Sequence, residues 1–227
     1  MIINEINRGN IPKIFGELII LIQSTKRGRG STILPLSKDD FMVPKNLYLI
    51  GNMNTADRSV LLIDTALRRR FAFKELLPDP ELLRSGKIAD VSLSTWLRAM
   101  NRRIVEQLGR DGRNLQIGHS YLMQDGKPVS GTHQISQIVQ DEVWPLLQEY
   151  CYEDSNKLAQ ILGAGRGGIF NEQTGSLRED LFARGRESDL EEALCSILTS
   201  DDKTEDAGLD EDTDPAEEEL DEADAAT

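Results

Sequence analysis

Apolar residues follow two rhythms along this chain. Up to Phe73 short apolar runs alternate with polar or glycine-rich turns, and beyond Pro78 they recur at helical spacing. Met1-Ile2-Ile3 is an apolar stub leading into Asn4-Glu5 and reads as the end of a buried strand. Ile11 to Ile22 keeps a helical period, with Pro12 tolerated in the first turn and Lys26 to Gly30 ending the segment. Thr32 to Leu36, the polar Ser37-Lys38-Asp39-Asp40 and Phe41 to Val43 predict a hairpin. Leu47 to Ile50 is a continuous apolar run closed by Gly51, as in a buried parallel strand. Ser59 is placed to cap a helix running to Arg69, with Leu62, Ile63, Ala66 and Leu67 on one face. Phe71-Ala72-Phe73 predicts a short strand. Strands alternating with helices make residues 1–77 an α/β layer.

Pro78-Asp79-Pro80 breaks this pattern. Leu93, Trp96, Leu97, Met100, Ile104 and Leu108 mark one amphipathic helix over Leu93 to Leu108, and Gln134 to Tyr150 repeats the theme. Leu158 to Leu162 closes a helical region spanning 81–162. Residues 163–187 are rich in Gly and Arg and predict a surface loop, and Leu190 to Leu198 one short amphipathic helix before residue 200.

Charge changes the picture only at the C-terminus. Of 39 acidic and 26 basic residues, 14 and one fall in 201–227, leaving 25 of each sign in the body. A repulsive segment without aromatics cannot bury enough surface to order itself, so 201–227 is expected to be a disordered acidic tail. No apolar run has the length of a membrane span, and the start lacks the order of a signal peptide, so a cytoplasmic protein is expected. Cys151 and Cys195 have no metal-ligand neighbours in sequence and are expected to be free thiols, buried or half-buried.

Three blocks carry candidate chemistry. The first is Ile2-Ile3-Asn4-Glu5-Ile6-Asn7-Arg8-Gly9-Asn10. An apolar strand ending in an acidic pair is the Walker B arrangement, in which the first acid helps hold Mg²⁺ and the second polarises water attacking a γ-phosphate. The second is Met53-Asn54-Thr55-Ala56-Asp57-Arg58-Ser59, where Asn54 follows a strand at the sheet end that binds ligands. The third is Leu67-Arg68-Arg69-Arg70-Phe71. Each block alone has a plainer reading: an arginine run at a helix C-terminus complements the helix dipole, Asn54 to Ser59 can be a helix cap with a salt bridge, and Asn4-Glu5 by itself carries no signal.

Taken in order, EINRGN, MNTADRS, ALRRRF and the later IGHSY resemble the AAA+ domain of the McrB family, the GTP-hydrolysing motor of a methylcytosine-dependent restriction system. The resemblance covers roughly residues 1–162. It implies an α/β fold in which an incomplete AAA+ P-loop NTPase sheet, strands 3–5 at Met1 to Asn4, Leu47 to Ile50 and Phe71 to Phe73, precedes the α-helical lid. A sheet lacking the central strand leaves unpaired, apolar edges. By resemblance Glu5 is the catalytic glutamate, Asn54 the sensor-1 residue, and Arg69 and Arg70 the arginine fingers acting on a neighbouring subunit's nucleotide. Asn4 stands at the position of the Walker B aspartate, and Asp57 and Arg58 belong to the signature at the subunit interface. The implied cofactors are Mg²⁺ with GTP or ATP. The implied partners are AAA+ protomers in a ring and a McrC-type endonuclease.

Two departures from that pattern bear on activity. No G-x-x-x-x-G-K-[ST] occurs, so the 227 residues hold no backbone cradle for phosphates. Asn4, neutral, is also a poorer partner for hydrated Mg²⁺ than the usual aspartate. The expectation is a C-terminal portion of the motor subunit unable to hydrolyse nucleotide alone. The alternative is a non-catalytic interaction subunit that lends its arginines to a neighbour. His119 is expected to be a hydrogen-bonded structural histidine, since Gln116 stands where a basic sensor-2 residue is expected, and His133 to be exposed.

Overall fold

The computed structural model describes residues 1–23, 25–54, 68–165 and 167–211. The chain divides into two compact units at Leu76 and Leu77, close to the break that Pro78-Asp79-Pro80 predicts.

In the first unit β1 (Ile2–Ile3) leads through a 3₁₀ turn (Ile6–Arg8) into α1 (Ile11–Phe15). The Asn10 side chain accepts from the Lys13 amide and caps α1, and Pro12 occupies its first turn. The expected helix to Ile22 is not continuous: α1 ends at Gly16 and tightens into a 3₁₀ segment, Gly16–Ile20. Leu21 and Ile22 then turn inward and are buried. The predicted hairpin is present as β2 (Ser31–Ile33) and β3 (Asp40–Met42), antiparallel, with Thr32 opposite Phe41.

β4 (Ile50–Gly51) pairs parallel with β1, Ile2 opposite Ile50 and Ile3 opposite Gly51. Of the predicted strand Leu47 to Ile50 only its last residue joins a ladder. Leu47 and Leu49 are half-buried while Tyr48 and Ile50 are exposed, so the run alternates rather than burying both faces. Phe71 to Phe73 is not a strand, which corrects the expectation of three. Phe71 packs against the Ile6–Ile11 cluster instead, and the Phe73 ring takes the Arg68 guanidinium at 5.7 Å from its centroid. Packing of single aromatic side chains has replaced backbone pairing. The predicted helix from Ser59 lies outside the described residues up to Leu67.

The second unit is helical. β5 (Lys87–Ile88) and β6 (Val91–Ser92) form a small ribbon before α2 (Leu93–Leu108). Ser92 Oγ accepts from the Thr95 amide and caps α2. The predicted apolar stripe is its buried face: Leu93, Trp96, Leu97, Met100 and Ile104 are each no more than 1% exposed. Asn101 is buried on α2 and satisfied twice, donating to the Ile117 carbonyl and accepting from the Ile117 amide. A second ribbon, β7 (Met123–Gln124) with β8 (Lys127–Pro128), precedes α3 (Thr132–Ile138). α3 continues through a π turn (Val139–Val143) into α4 (Trp144–Cys151). Pro145 has no N–H for the carbonyl four residues back, and the helix widens in the turn before it. α5 (Ser155–Leu162) is capped by the Asp154 carboxylate.

Residues 163–187 are not the surface loop that composition predicts. β9 (Phe170–Asn171) and β10 (Ser176–Leu177) form a hairpin that buries Phe170 completely, its ring 5.9 Å from that of Trp144. α6 (Glu187–Cys195) buries Leu190, Ala193 and Leu194, and the Trp96 indole donates to the Leu194 carbonyl. The packing of the second unit therefore does not stop at residue 162.

The acidic segment brings a further correction. Ser200–Glu211 is a helix, α7, where the sequence predicts disorder from 201. Asp202 and Asp206, one turn apart, are 6% and 7% exposed. Asp202 pairs with both terminal nitrogens of Arg102 at 2.6 Å. Asp206 accepts from the Ser92 amide at 3.0 Å, the Ser92 hydroxyl at 2.5 Å and the Thr95 hydroxyl at 2.6 Å. Repulsion keeps such a sequence disordered only where its carboxylates find no donors, and α2 offers donors to two of them.

Candidate functional site

The parallel pairing of β1 with β4 brings the first two sequence blocks together. Successive backbone bonds run up the pair from Met1: its carbonyl accepts from Ile50, the Ile3 carbonyl from Asn52, and the Asn52 carbonyl from Ile6. The chain leaving β1 and the chain leaving β4 thus end side by side, Asn4-Glu5 on one and Asn52-Met53-Asn54 on the other. The Asn7 side chain donates to the Asn54 carbonyl at 3.3 Å.

Gly51 permits the close approach. A Cβ there would lie 2.8 Å from Ile6 Cδ1 and 3.2 Å from its Cγ2. Ile6 closes over the glycine and is 9% exposed. Glu5 itself takes the left-handed conformation, φ 50 and ψ 49, unusual for a residue with a side chain. Its amide donates to Asn52 Oδ1 at 2.8 Å, and its carboxylate, exposed, pairs with Arg8.

The third block reaches the same place through its apolar neighbour. Ile6 and Ile11 form a cluster against which Ile3, Phe15, Ile19, Met53 and Phe71 pack. Ile6 follows Glu5, Met53 precedes Asn54 and Phe71 follows Arg70, so one apolar cluster tethers all three candidate blocks. Arg69 is exposed and Arg70 half-buried. Asp57 and Arg58 lie outside the described residues.

The donor set does not make a metal site by itself. Among the described residues no group of three His, Cys, Asp or Glu side chains converges. On this rim Glu5 is already ion-paired, and Asn4 Oδ1 accepts from the Asn52 side chain at 2.9 Å. Mg²⁺ keeps several waters and is usually held by one or two carboxylates together with substrate phosphates, and on this rim Glu5 is a carboxylate of that kind, exposed beside Arg8.

In the second unit His119 Nδ1 accepts from the Asp79 amide at 2.9 Å, as expected of a structural histidine. His133 is exposed. Cys151 and Cys195 are free, the first buried and the second half-buried, and burial pushes each thiol up to about 11. No helix among the described residues is long and apolar enough to cross a membrane. Sequence reasoning missed Asn52 and the α7 carboxylates. None of them belongs to a motif, and the bonds that dock them, to Glu5 and Asn4, to Arg102, and to Ser92 and Thr95, reach across 47 or more residues.

Comparison with known proteins divides the chain in the same place. Residues 1–71 match the AAA domain (dynein-related subfamily) and residues 92–159 the McrB alpha-helical lid domain. The chain is 39% identical to the type IV methyl-directed restriction enzyme EcoKMcrB subunit of Escherichia coli (strain K12), over 69% of this chain and 37% of that protein. It is 34% identical to the type II restriction enzyme BsuMI component YdiS of Bacillus subtilis (strain 168), over 52% of this chain and 37% of that protein. The chain spans well under half the length of either relative. With an AAA-domain match within its first unit, an McrB-lid match within its second and 39% identity to an McrB subunit, the chain belongs to the McrB-type AAA+ family.

Proposed function

We propose that this chain supplies the water-activating and subunit-interface half of an McrB-like AAA+ nucleoside-triphosphate hydrolase in a modification-dependent restriction system. One observation carries the reading: the in-register pairing of β1 with β4 sets Asn4-Glu5 beside Asn54 at the carboxyl ends of two parallel strands, where open α/β sheets bind ligands. In this reading the Glu5 carboxylate polarises the attacking water and Asn54 orients it. Arg69 and Arg70 project toward the nucleotide of an adjacent protomer, where a guanidinium offsets charge developing on the γ-phosphate, worth ~10³–10⁵ in rate in measured systems. Asp57 and Arg58 belong to the same protomer boundary. GTP or ATP is the substrate, and a McrC-type endonuclease is the partner driven by the ring.

The phosphate cradle is not among these 227 residues, so the chain does not hydrolyse nucleotide by itself. Mg²⁺ accompanies the nucleotide in the intact family. Among the described residues no three His, Cys, Asp or Glu side chains gather to hold it, so it would arrive with the nucleotide's phosphates and meet Glu5. The exposure of Arg69 also suits the second reading, a non-catalytic subunit that completes a neighbour's site.

Two measurements test these readings. The full chain, titrated alone with Mg-GTP and Mg-ATP, is expected to show no binding in the micromolar range; micromolar binding means it owns a phosphate site and overturns the division of labour. Added to an intact McrB-type subunit, the chain is expected to change the rate of GTP hydrolysis, and the Arg69→Ala/Arg70→Ala variant to lose that effect. An equal effect from the variant removes the arginines from the mechanism.

A further inference from the structure

Asn52 lies in none of the motif blocks, yet it joins both chain ends of the rim. Its side-chain carbonyl accepts from the Glu5 amide at 2.8 Å, and its side-chain amide donates to Asn4 Oδ1 at 2.9 Å. Its backbone amide donates to the Ile3 carbonyl at 3.1 Å, and its backbone carbonyl accepts from Ile6 at 2.9 Å. Four bonds from one residue therefore span Ile3 to Ile6. A planar carboxamide is rigid beyond Cβ–Cγ, so holding it at both ends fixes Asn4 and Glu5 relative to each other. The left-handed Glu5 backbone is a conformation that needs such support in a residue with a Cβ.

We propose that Asn52 is the positioning residue for the Asn4-Glu5 pair, holding the Glu5 backbone in its left-handed turn and locking the Asn4 carboxamide. The catalytic consequence rests on the function proposed above; the brace itself does not. Asn4 is part of the same device. A carboxylate at position 4 accepts the Asn52 amide equally well, and a carboxylate at position 52 is matched by a half-turn of the Asn4 carboxamide. Carboxylates at both positions repel, because neither has a proton to donate.

The test is amide exchange and side-chain NMR on the full chain without nucleotide. Asn52→Leu, close in size and without polar atoms, is expected to speed exchange at the Glu5 amide about five- to tenfold, the scale of one lost hydrogen bond. It is also expected to collapse the chemical-shift dispersion of the Asn4 side-chain amide, while Ile88 and Trp96 in the second unit do not change. Asn52→Asp and Asn4→Asp each keep the Glu5 amide protected, and the double variant loses protection. The contrast between single and double variants separates positioning from general loosening, since a merely structural Asn52 shows no such dependence on position 4. Equal Glu5 exchange in the wild type and Asn52→Leu overturns the brace. In an assembly that hydrolyses GTP or ATP with this chain present, Asn52→Leu is expected to lower kcat more than tenfold with KM unchanged, and an unchanged kcat overturns the positioning role. An assembly whose nucleotide hydrolysis does not respond to the wild-type chain tells against the proposed function, while the exchange result still decides the brace.

Discussion

Replacing Asp206 by alanine removes one carboxylate and leaves three donors on the opposite helix. The Ser92 amide, the Ser92 hydroxyl and the Thr95 hydroxyl all lose their acceptor. The Ser92 hydroxyl can turn, since it also donates to Thr95 Oγ1 at 3.1 Å while its oxygen accepts from the Thr95 amide. The Ser92 amide cannot, and a buried unsatisfied amide costs about 1–3 kcal/mol. With the charge-assisted bonds also lost, the substitution should cost about 2–4 kcal/mol locally. That cost has a ceiling: α7 can peel from α2 and return its donors to water, so the global loss cannot exceed the docking free energy of α7. Hydrogen exchange is therefore the more sensitive assay. Amides of α7 and of Ser92 should lose most of their protection in Asp206→Ala, while Leu97 to Ile104 in α2 keep theirs. The melting temperature should fall by several degrees, at about 2–4 °C per kcal/mol for a chain of this size. Asp206→Asn, which retains one acceptor oxygen, should lie between wild type and alanine.

Acid should reproduce the effect. Burial pulls the Asp206 carboxyl upward, but bonds from Ser92 and Thr95 outweigh it and hold the group below the usual carboxylate range. Asp202 is held below that range by the Arg102 guanidinium and the Thr199 bonds. A carboxylate whose folded pKa lies below its unfolded value, about 3.9, stabilises the fold fully above that value and loses the contribution as pH falls through the folded one. Docking of α7 should be complete at neutral pH and weaken only below about pH 4. Unchanged α7 exchange in Asp206→Ala, or release beginning near pH 6, would refute the reasoning.

Other perturbations have equally direct readouts. A Cβ on Gly168 would overlap the Gly163 carbonyl, backbone that cannot swing aside, so Gly168→Ala should destabilise the second unit by more than about 2 kcal/mol in urea denaturation. A Cβ on Gly51 meets a side chain instead. Gly51→Ala should cost about 1–3 kcal/mol, part of it recovered by adding Ile6→Val, which deletes the nearest methyl; two strictly additive losses would refute that contact. With both thiols pushed up to about 11 by burial, Cys151 and Cys195 should react with Ellman's reagent at pH 8 on the order of a hundredfold more slowly in the native chain than in urea, and equal rates would contradict their burial.

Much of this molecule is written locally. The period of apolar residues in Leu93 to Leu108 defines α2 to its last residue, because a helix buries a stripe that recurs every turn and Ser92, the residue just before it, caps its first turn. The hairpin at Thr32 and Phe41 follows from a polar turn between apolar runs. The order of the three motif blocks identifies the family before any coordinate is known. Tertiary structure decided the rest, where a segment's fate depends on partners remote in sequence. Phe71 to Phe73 has strand composition but packs its aromatic rings singly, because no ladder partner meets it among the described residues. The acidic segment after Ser200 repels itself on paper, yet two of its carboxylates meet donors that lie 100 and 114 residues earlier in the chain. Asn52 reads as one more polar residue beside a strand until β1 and β4 pair and bring Asn4 and Glu5 within reach of its side chain. Periodicity and capping act within a turn or two and are legible residue by residue; a hydrogen bond between distant segments exists only once the chain has closed.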